Sequence, residues 1–305
     1  MLIWPSEAYL THMMTNQLWK SLKVGARRRW WDGLRMAFSA VGVAWTLSEV
    51  LTKALTPLDT YLNAHGGDFL AFMATLSVVV FVACIAEPVS VTFTVPTSDT
   101  KITLKYGDLF AQNADLLIGV NEFFDGELGR AVDGKSLHGQ FITRNFGGSA
   151  ANFQAVVLPA LAATGVIPSH TSRPVQPSQS YPIGTTVPVA NGAHRAFLMA
   201  MAKTDLITFK ASSDPAILWA ALQGGFAAAH IHGGGAPLAM PLFGNGQAGI
   251  NLAPQHLLRL LTLALVDFGR NSTFRLPRQV TVVLHDRCFE ELDIREIARD
   301  WKKEV

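Results

Sequence analysis

Between Phe69 and Ala86 the chain runs eighteen residues without a charge, closed by Asp68 on one side and Glu87-Pro88 on the other. As a helix rising about 1.5 Å per residue, such a run covers roughly 27 Å, close to the hydrocarbon thickness of a bilayer. A buried core helix is the other reading, but few core helices extend so far with no charged residue. An earlier segment, Met36 to Leu55, is apolar but interrupted. Its polar and small residues fall at Arg35, Ser39, Gly42, Thr46, Glu49 and Lys53, in alternating steps of four and three. That spacing lays them along one helical face. An ionisable group in a spanning helix costs about 2.5–3.5 kcal/mol near its centre, so it turns toward protein or water. Small residues on the same stripe permit close helix–helix approach. Two readings follow: an amphipathic helix on the membrane surface, or a first span whose stripe faces its partner helix or copies of itself.

Beyond Lys101 the period changes. The stretches 102–106, 116–120, 186–189, 196–201, 238–243 and 280–284 read as strands, and 150–163, 215–229, 254–268 and 292–302 as helices. Ser213-Asp214 before Pro215, and Asn251 shortly before Pro254, supply helix-start chemistry. Alternating strands and helices predict an α/β domain, a mixed sheet covered by helices on both faces. The Ser-, Pro- and Gln-rich stretch 168–182 reads as a loop or lid. The expected organisation is a basic N-terminal segment (1–33), two transmembrane helices (34–88) and a soluble domain (89–305).

Composition agrees with a chain partly in lipid: 49% of residues are hydrophobic and only 16% charged. A net charge of +2, without a basic stripe interleaved with aromatics after residue 100, argues against nucleic acid as a partner. Lys20, Lys23 and Arg27-Arg28-Arg29 precede the first segment and Lys101 and Lys105 follow the second, while 56–68 holds no Lys or Arg. The positive-inside rule therefore places both the N-terminus and the large domain in the cytoplasm of a two-pass protein, with Trp30 and Trp31 at the inner interface. The basic cluster comes too late for a secretory signal. Cys84 and Cys288 form no plausible disulfide, which fits a reducing compartment.

Three segments carry candidate chemistry. A strand ending in Gly107-Asp108 is followed by a second ending in Asn121. Asp125 and His138 then fall on a Gly-bearing loop beside a strand's carboxyl end, where ligands of open α/β sheets bind. Late in the chain, Phe243-Gly-Asn-Gly-Gln-Ala-Gly249 runs toward a helix near Pro254, and its glycines let backbone N–H groups approach a diphosphate. It lacks the lysine of a P-loop. His230 and His232 lack a nearby Cys or carboxylate for a metal, His285 and Cys288 lack a third orienting group, and Ser149 lacks a nucleophile elbow.

Gly107-Asp108, Val120-Asn121 with Phe124-Asp125, Ser136-Leu-His-Gly139, Tyr181-Pro-Ile-Gly-Thr185 and the 243–249 loop, in this order behind two apolar segments, resemble the membrane-bound macro-domain effectors (ThsA) of type II Thoeris antiphage defence. The resemblance implies a macro-like three-layer α/β/α domain in a multi-pass protein of the bacterial inner membrane. It also implies ligand contacts from Asp108 (on the adenine amino group), Leu109, Asn121 (toward the distal ribose), Asp125, His138, Gly139, Gly184 and Thr185, with Gly244, Asn245, Gly246, Gln247, Ala248 and Gly249 around the diphosphate. The implied ligand is an ADP-ribose derivative, histidine-ADP-ribose, made by a partner TIR-domain enzyme. The implied outcome is assembly of a homo-oligomer and damage to the lipid bilayer, with no cofactor and no catalytic residue. One departure matters: hydrolytic macro domains pair two asparagines at the second strand's end, and Gly119 stands at about the first position. That favours binding over the alternative, a membrane-tethered ADP-ribosyl hydrolase.

Overall fold

The computed structural model describes residues 7–95, 98–246, 249–271 and 273–302. It divides into two compact units, 1–89 and 90–305.

The first unit holds three helices: α1 (Glu7–Ala54), α2 (Thr56–Ala64) and α3 (Gly66–Ile85). Among the described residues, Leu18–Ala54 and Gly66–Ile85 are long and apolar enough to cross a membrane. The first of these is one helix far longer than the apolar pattern suggests, with a kink at Arg29, whose φ of −132° and ψ of 25° leave helical geometry. The hairpin is closed by small residues on α1. A side chain at Gly25 would overlap the Ile85 carbonyl, and one at Gly33 would meet Ile85 and Phe81. Trp30 packs edge-on against Phe81 and Trp45 against Phe69, with centroids 5.1 and 5.8 Å apart. The hairpin's foot is polar. Ser21 donates to the Glu87 carbonyl at 2.7 Å, and the Glu87 carboxylate lies 3.8 and 3.9 Å from Arg28 and Arg29.

The polar stripe lies elsewhere on α1. Arg35, Ser39, Gly42, Thr46, Glu49 and Lys53 are all exposed, and a Cβ at Gly42 would touch nothing. The stripe does not face α3, because Gly25, Gly33 and Ala37 occupy the packed side.

The second unit is built on a mixed sheet. Its strands are β1 (Ser90–Thr94), β2 (Lys101–Tyr106), β3 (Asp115–Asn121), β6 (Thr186–Asn191), β7 (His194–Thr204), β9 (Leu238–Pro241) and β10 (Gln279–Leu284), in the spatial order β1-β2-β10-β9-β3-β7-β6. The short β8 (Ala211–Ser212) pairs with β7, and β4 (Ser169–His170) with β5 (Gln179–Ser180) forms a separate ribbon inside the stretch read as a loop. The five central strands β2, β10, β9, β3 and β7 run parallel, and β1 and β6 close the edges antiparallel. Central β3 is apolar and buried on nearly every residue, as a strand covered on both faces must be.

Two hydrophobic layers cover the sheet. On one face α4 (Leu137–Phe146) and α5 (Ala150–Ala163) bury Phe141, Ile142, Phe153 and Val157. On the other, α6 (Pro215–Gly233), α7 (Pro254–Asn271) and α8 (Ile294–Lys302) bury Leu218, Phe226, Leu261 and Ile297. The helix starts follow the sequence chemistry. Asp214 accepts from Ile217 N at 2.8 Å with Pro215 in the first turn, and Ser149 accepts from Asn152 N at 3.3 Å.

Candidate ligand-binding site

Three candidate segments lie at the carboxyl ends of parallel strands, the rim where open α/β sheets bind ligands. Tyr106 ends β2 and hands over to Gly107-Asp108, Pro241 ends β9 and leads into the glycine loop, and Asn121 closes β3. In sheet order the glycine loop therefore falls between Asp108 and Asn121. Three strand spacings separate β2 from β3, about 14 Å at some 4.8 Å each.

Around Asn121 the chain folds back on itself. The Asn121 carboxamide donates to Asp125 Oδ2 at 2.8 Å and accepts from Asp125 N at 3.1 Å. Between them Phe124 holds a φ of +52°, a left-handed conformation unfavourable for a bulky residue and of the kind that clusters at functional sites. Gln154 of α5 braces it, donating to the Phe124 carbonyl at 2.7 Å.

Asp125 is fully buried and pairs with Arg173, which donates at 3.0 Å. The guanidinium lies 4.0 Å above the Phe123 ring. Burial raises the Asp125 pKa, a push that the Arg173 and Asn121 hydrogen bonds only partly offset. Arg173 comes from the 168–182 stretch, 48 residues away, and was not among the sequence candidates; a lone arginine in a polar loop carries no local signal of its burial.

His138 was expected on a loop, as was Gly139; both lie in the first turn of α4. The serine at position 136 makes the difference, its hydroxyl accepting from Gly139 N at 3.0 Å and starting the helix earlier than the glycines suggest. Gly139 is required there because a side chain would overlap the Asp133 carbonyl. Burial holds the His138 imidazole neutral, its pKa pushed down to about 3.

Four buried polar atoms of these residues make no protein hydrogen bond: Asp125 Oδ1, Arg173 Nε, His138 Nε2 and Gln154 Oε1. Native interiors rarely leave such groups unpaired, so each is suited to a polar partner.

Asp108 is different in kind. Its carboxylate is half exposed, caps the short helical turn 109–111 through Phe110 N at 3.0 Å, and lies 3.6 Å from Arg144 at the end of α4. Leu109 beside it is buried. Gly184 and Thr185 stand at the start of β6, where Gly184 N bonds the Ala200 carbonyl, and Gly224 lets α6 approach them, since a side chain there would overlap Gly184 O. Tyr181 N donates to the Glu122 carbonyl, tying that segment to the tip of β3.

In the glycine loop Gly244 has a φ of +85° and Gly249 one of +46°, and Gly249 N returns to Gly246 O at 3.0 Å. Asn245 donates to the Cys288 sulfur at 3.1 Å. The Cys288 thiol is buried and its pKa is raised by that burial and by Glu291, which makes it a poor nucleophile. Gln247 and Ala248 lie outside the described residues.

Gly119 explains itself sterically. Register slips between Val120 and Asn121, leaving Met201 of β7 bulged, and a side chain at Gly119 would overlap the Met201 sulfur.

The solved structures that this fold resembles include the Oceanobacillus iheyensis macrodomain. A single-residue variant with ADPR is 10% identical, matching 71% of this chain and 100% of its own, with a TM-score of 0.47; the same macrodomain with ADP gives 0.44 at 10% identity, covering 70% and 97%. A mutant tomato leucine aminopeptidase gives 0.33 at 16% identity, over 60% of this chain and 32% of its own. No curated protein matches the sequence. The family model described as "Thoeris protein ThsA, Macro domain" matches residues 102–285, more than half of the chain. Through that domain the chain belongs to the ThsA family of Thoeris proteins.

Proposed function

We propose that the protein is a ligand-gated antiphage effector of the bacterial inner membrane. Its macro domain binds an ADP-ribose-derived signal, histidine-ADP-ribose from a TIR-domain enzyme, and its hairpins then assemble and disrupt the bilayer. The observation that carries this reading is a ThsA macro domain joined in one chain to two helices able to span a membrane. The strand-tip order supports a ligand laid across the sheet, with the base at Asp108, the diphosphate at the glycine loop and the second ribose at Asn121. The group beyond that ribose meets the unpaired atoms of Asp125, His138 and Arg173.

We read the site as binding without turnover, because Met201 fills the space a side chain at position 119 would need and Cys288 is buried as a thiol. The outward stripe on α1 is the proposed contact between subunits, since α3 leaves Glu49, Lys53 and Gly42 uncovered and ionisable groups in a bilayer seek protein or water. The N-terminus and the macro domain both face the cytoplasm in this reading.

Calorimetric titration of the detergent-solubilised protein with ADP-ribose and its histidine conjugate tests it. Binding of the conjugate that is lost in Gly246→Glu is the expected outcome; Gly246 is exposed and a Cβ there meets nothing, so the fold should survive the change. A folded Gly246→Glu protein that binds normally would put the site elsewhere.

A further inference from the structure

The N-terminal arm of α1 carries a second surface that neither the ligand site nor the outward stripe uses. From Leu18 to Trp31 the sequence holds Lys20, Lys23, Arg27, Arg28 and Arg29 and no acid. The structure divides these cations. Arg28 and Arg29 turn toward the buried Glu87 carboxylate, on the side where Ser21 and Gly25 pack. Lys20, Lys23 and Arg27 are exposed and make no ion pair among the described residues. At about 100° per residue, Trp19, Lys23, Arg27 and Lys20 fall within roughly 100° of arc, away from Ser21 and Gly25. Trp19 is 73% exposed, and Trp31, two residues past the Arg29 kink, is 70% exposed.

An exposed face combining tryptophan with unpaired cations, at the end of a helix that continues into a span, matches the headgroup layer. An indole sits with one side apolar and one wet, and cations meet phosphate. We propose that this face gathers anionic phospholipid headgroups of the cytoplasmic leaflet, so that the arm from Leu18 to Arg27 docks on phosphatidylglycerol-type lipid rather than on protein. The proposal rests on the reading that α1 and α3 span the membrane. Each exposed cation enriches anionic lipid beside it by roughly fivefold, the Boltzmann equivalent of what a basic residue gains at an anionic surface. Screening by salt should weaken the enrichment.

The test uses the full chain reconstituted in phosphatidylcholine vesicles containing roughly one-fifth phosphatidylglycerol, which gives the surface an anionic potential. Bromine quencher is carried on the chains of either lipid at equal mole fraction, and tryptophan fluorescence is read. Brominated phosphatidylglycerol should quench the wild type more than brominated phosphatidylcholine, and the difference should vanish in Lys20→Gln/Lys23→Gln/Arg27→Gln. Equal quenching of the wild type, or a preference that survives the triple substitution, overturns the proposal. Carbonate extraction of the same vesicles separates the two readings. A chain that stays in the membrane yet shows equal quenching refutes lipid selection alone, and a chain released by carbonate refutes the spanning helices and this surface together.

Discussion

The two units treat apolar and polar groups in opposite ways. In the hairpin the large apolar side chains point outward: Phe38 is 74% exposed, and Val43, Leu70, Phe72 and Val78 are uncovered as well. In the macro domain Phe123, Phe141, Phe153, Phe197 and Phe226 are wholly buried. The domain's buried charges find each other, Asp125 with Arg173, whereas Glu49 and Lys53 of the hairpin point away from the rest of their unit. One chain is thus folded for two solvents. Water drives the domain's core together. The hairpin's exposed faces are instead apolar along helices long enough to cross a membrane.

The sharpest way to break the domain's side of this contrast is Arg173→Ala. It leaves a buried carboxylate unpaired and should destabilise the domain by about 3–5 kcal/mol in denaturant unfolding. Arg173→Ala combined with Asp125→Leu should recover much of that loss. Equal loss in the single and double variants would mean that the ion pair is not what the site depends on.

On the hairpin's side, Val78→Arg places a charge on an exposed apolar position of α3. It should raise the cost of insertion by about 2.5–3.5 kcal/mol. Membrane fractionation should show the loss, while unfolding of the macro domain stays unchanged.

The domain's rim has its own contrast, buried Asp125 against half-exposed Asp108. Asp108→Ala should weaken adenine ligands by about 1.5–3 kcal/mol, as expected for a hydrogen bond to a charged acceptor. An inosine analogue should bind the wild type less well and be less affected by the change. Equal losses for both ligands would remove Asp108 from base recognition.

The smallest effect is a pH dependence. His138 is held neutral with a pKa of about 3, against 6.5 when unfolded, so the unfolded chain binds the extra proton between those values. Stability therefore falls as pH drops below 6.5, by roughly 1.4 kcal/mol at pH 5.5. His138→Gln should flatten that part of the profile, measured as Tm against pH.

Much of the architecture was legible in the residues. The helix Ala150–Ala163 was bounded correctly because its apolar run is continuous, and strand β3 because it is apolar through its middle. Strand β1, with the alternating Ser-Val-Thr-Phe-Thr of an edge, passed unnoticed. The helix α4 was hidden by Gly139 and the glycines flanking it, and the N-terminal extension of α1 by its charges. Only local candidates, such as Gly107-Asp108, could be picked out from the residues alone. The Asp125–Arg173 pair joins distant residues, and no period announces it. Likewise Gly42 looked like the packing residue of α1, yet Gly25 and Gly33 meet α3, a choice made by three-dimensional register.

The central claim is that a ligand bound by the domain folded for water acts through the hairpin folded for lipid. A ligand shifts such an equilibrium only through its differential affinity for the two states, so the link must show as ligand-dependent membrane action. The direct measurement is dye release from vesicles holding the full chain, with histidine-ADP-ribose on both sides of the membrane, for wild type and Glu49→Leu. The account predicts release by the wild type only when ligand is present, and none by Glu49→Leu despite unchanged ligand affinity. Release without ligand, or none at saturating ligand, would contradict it.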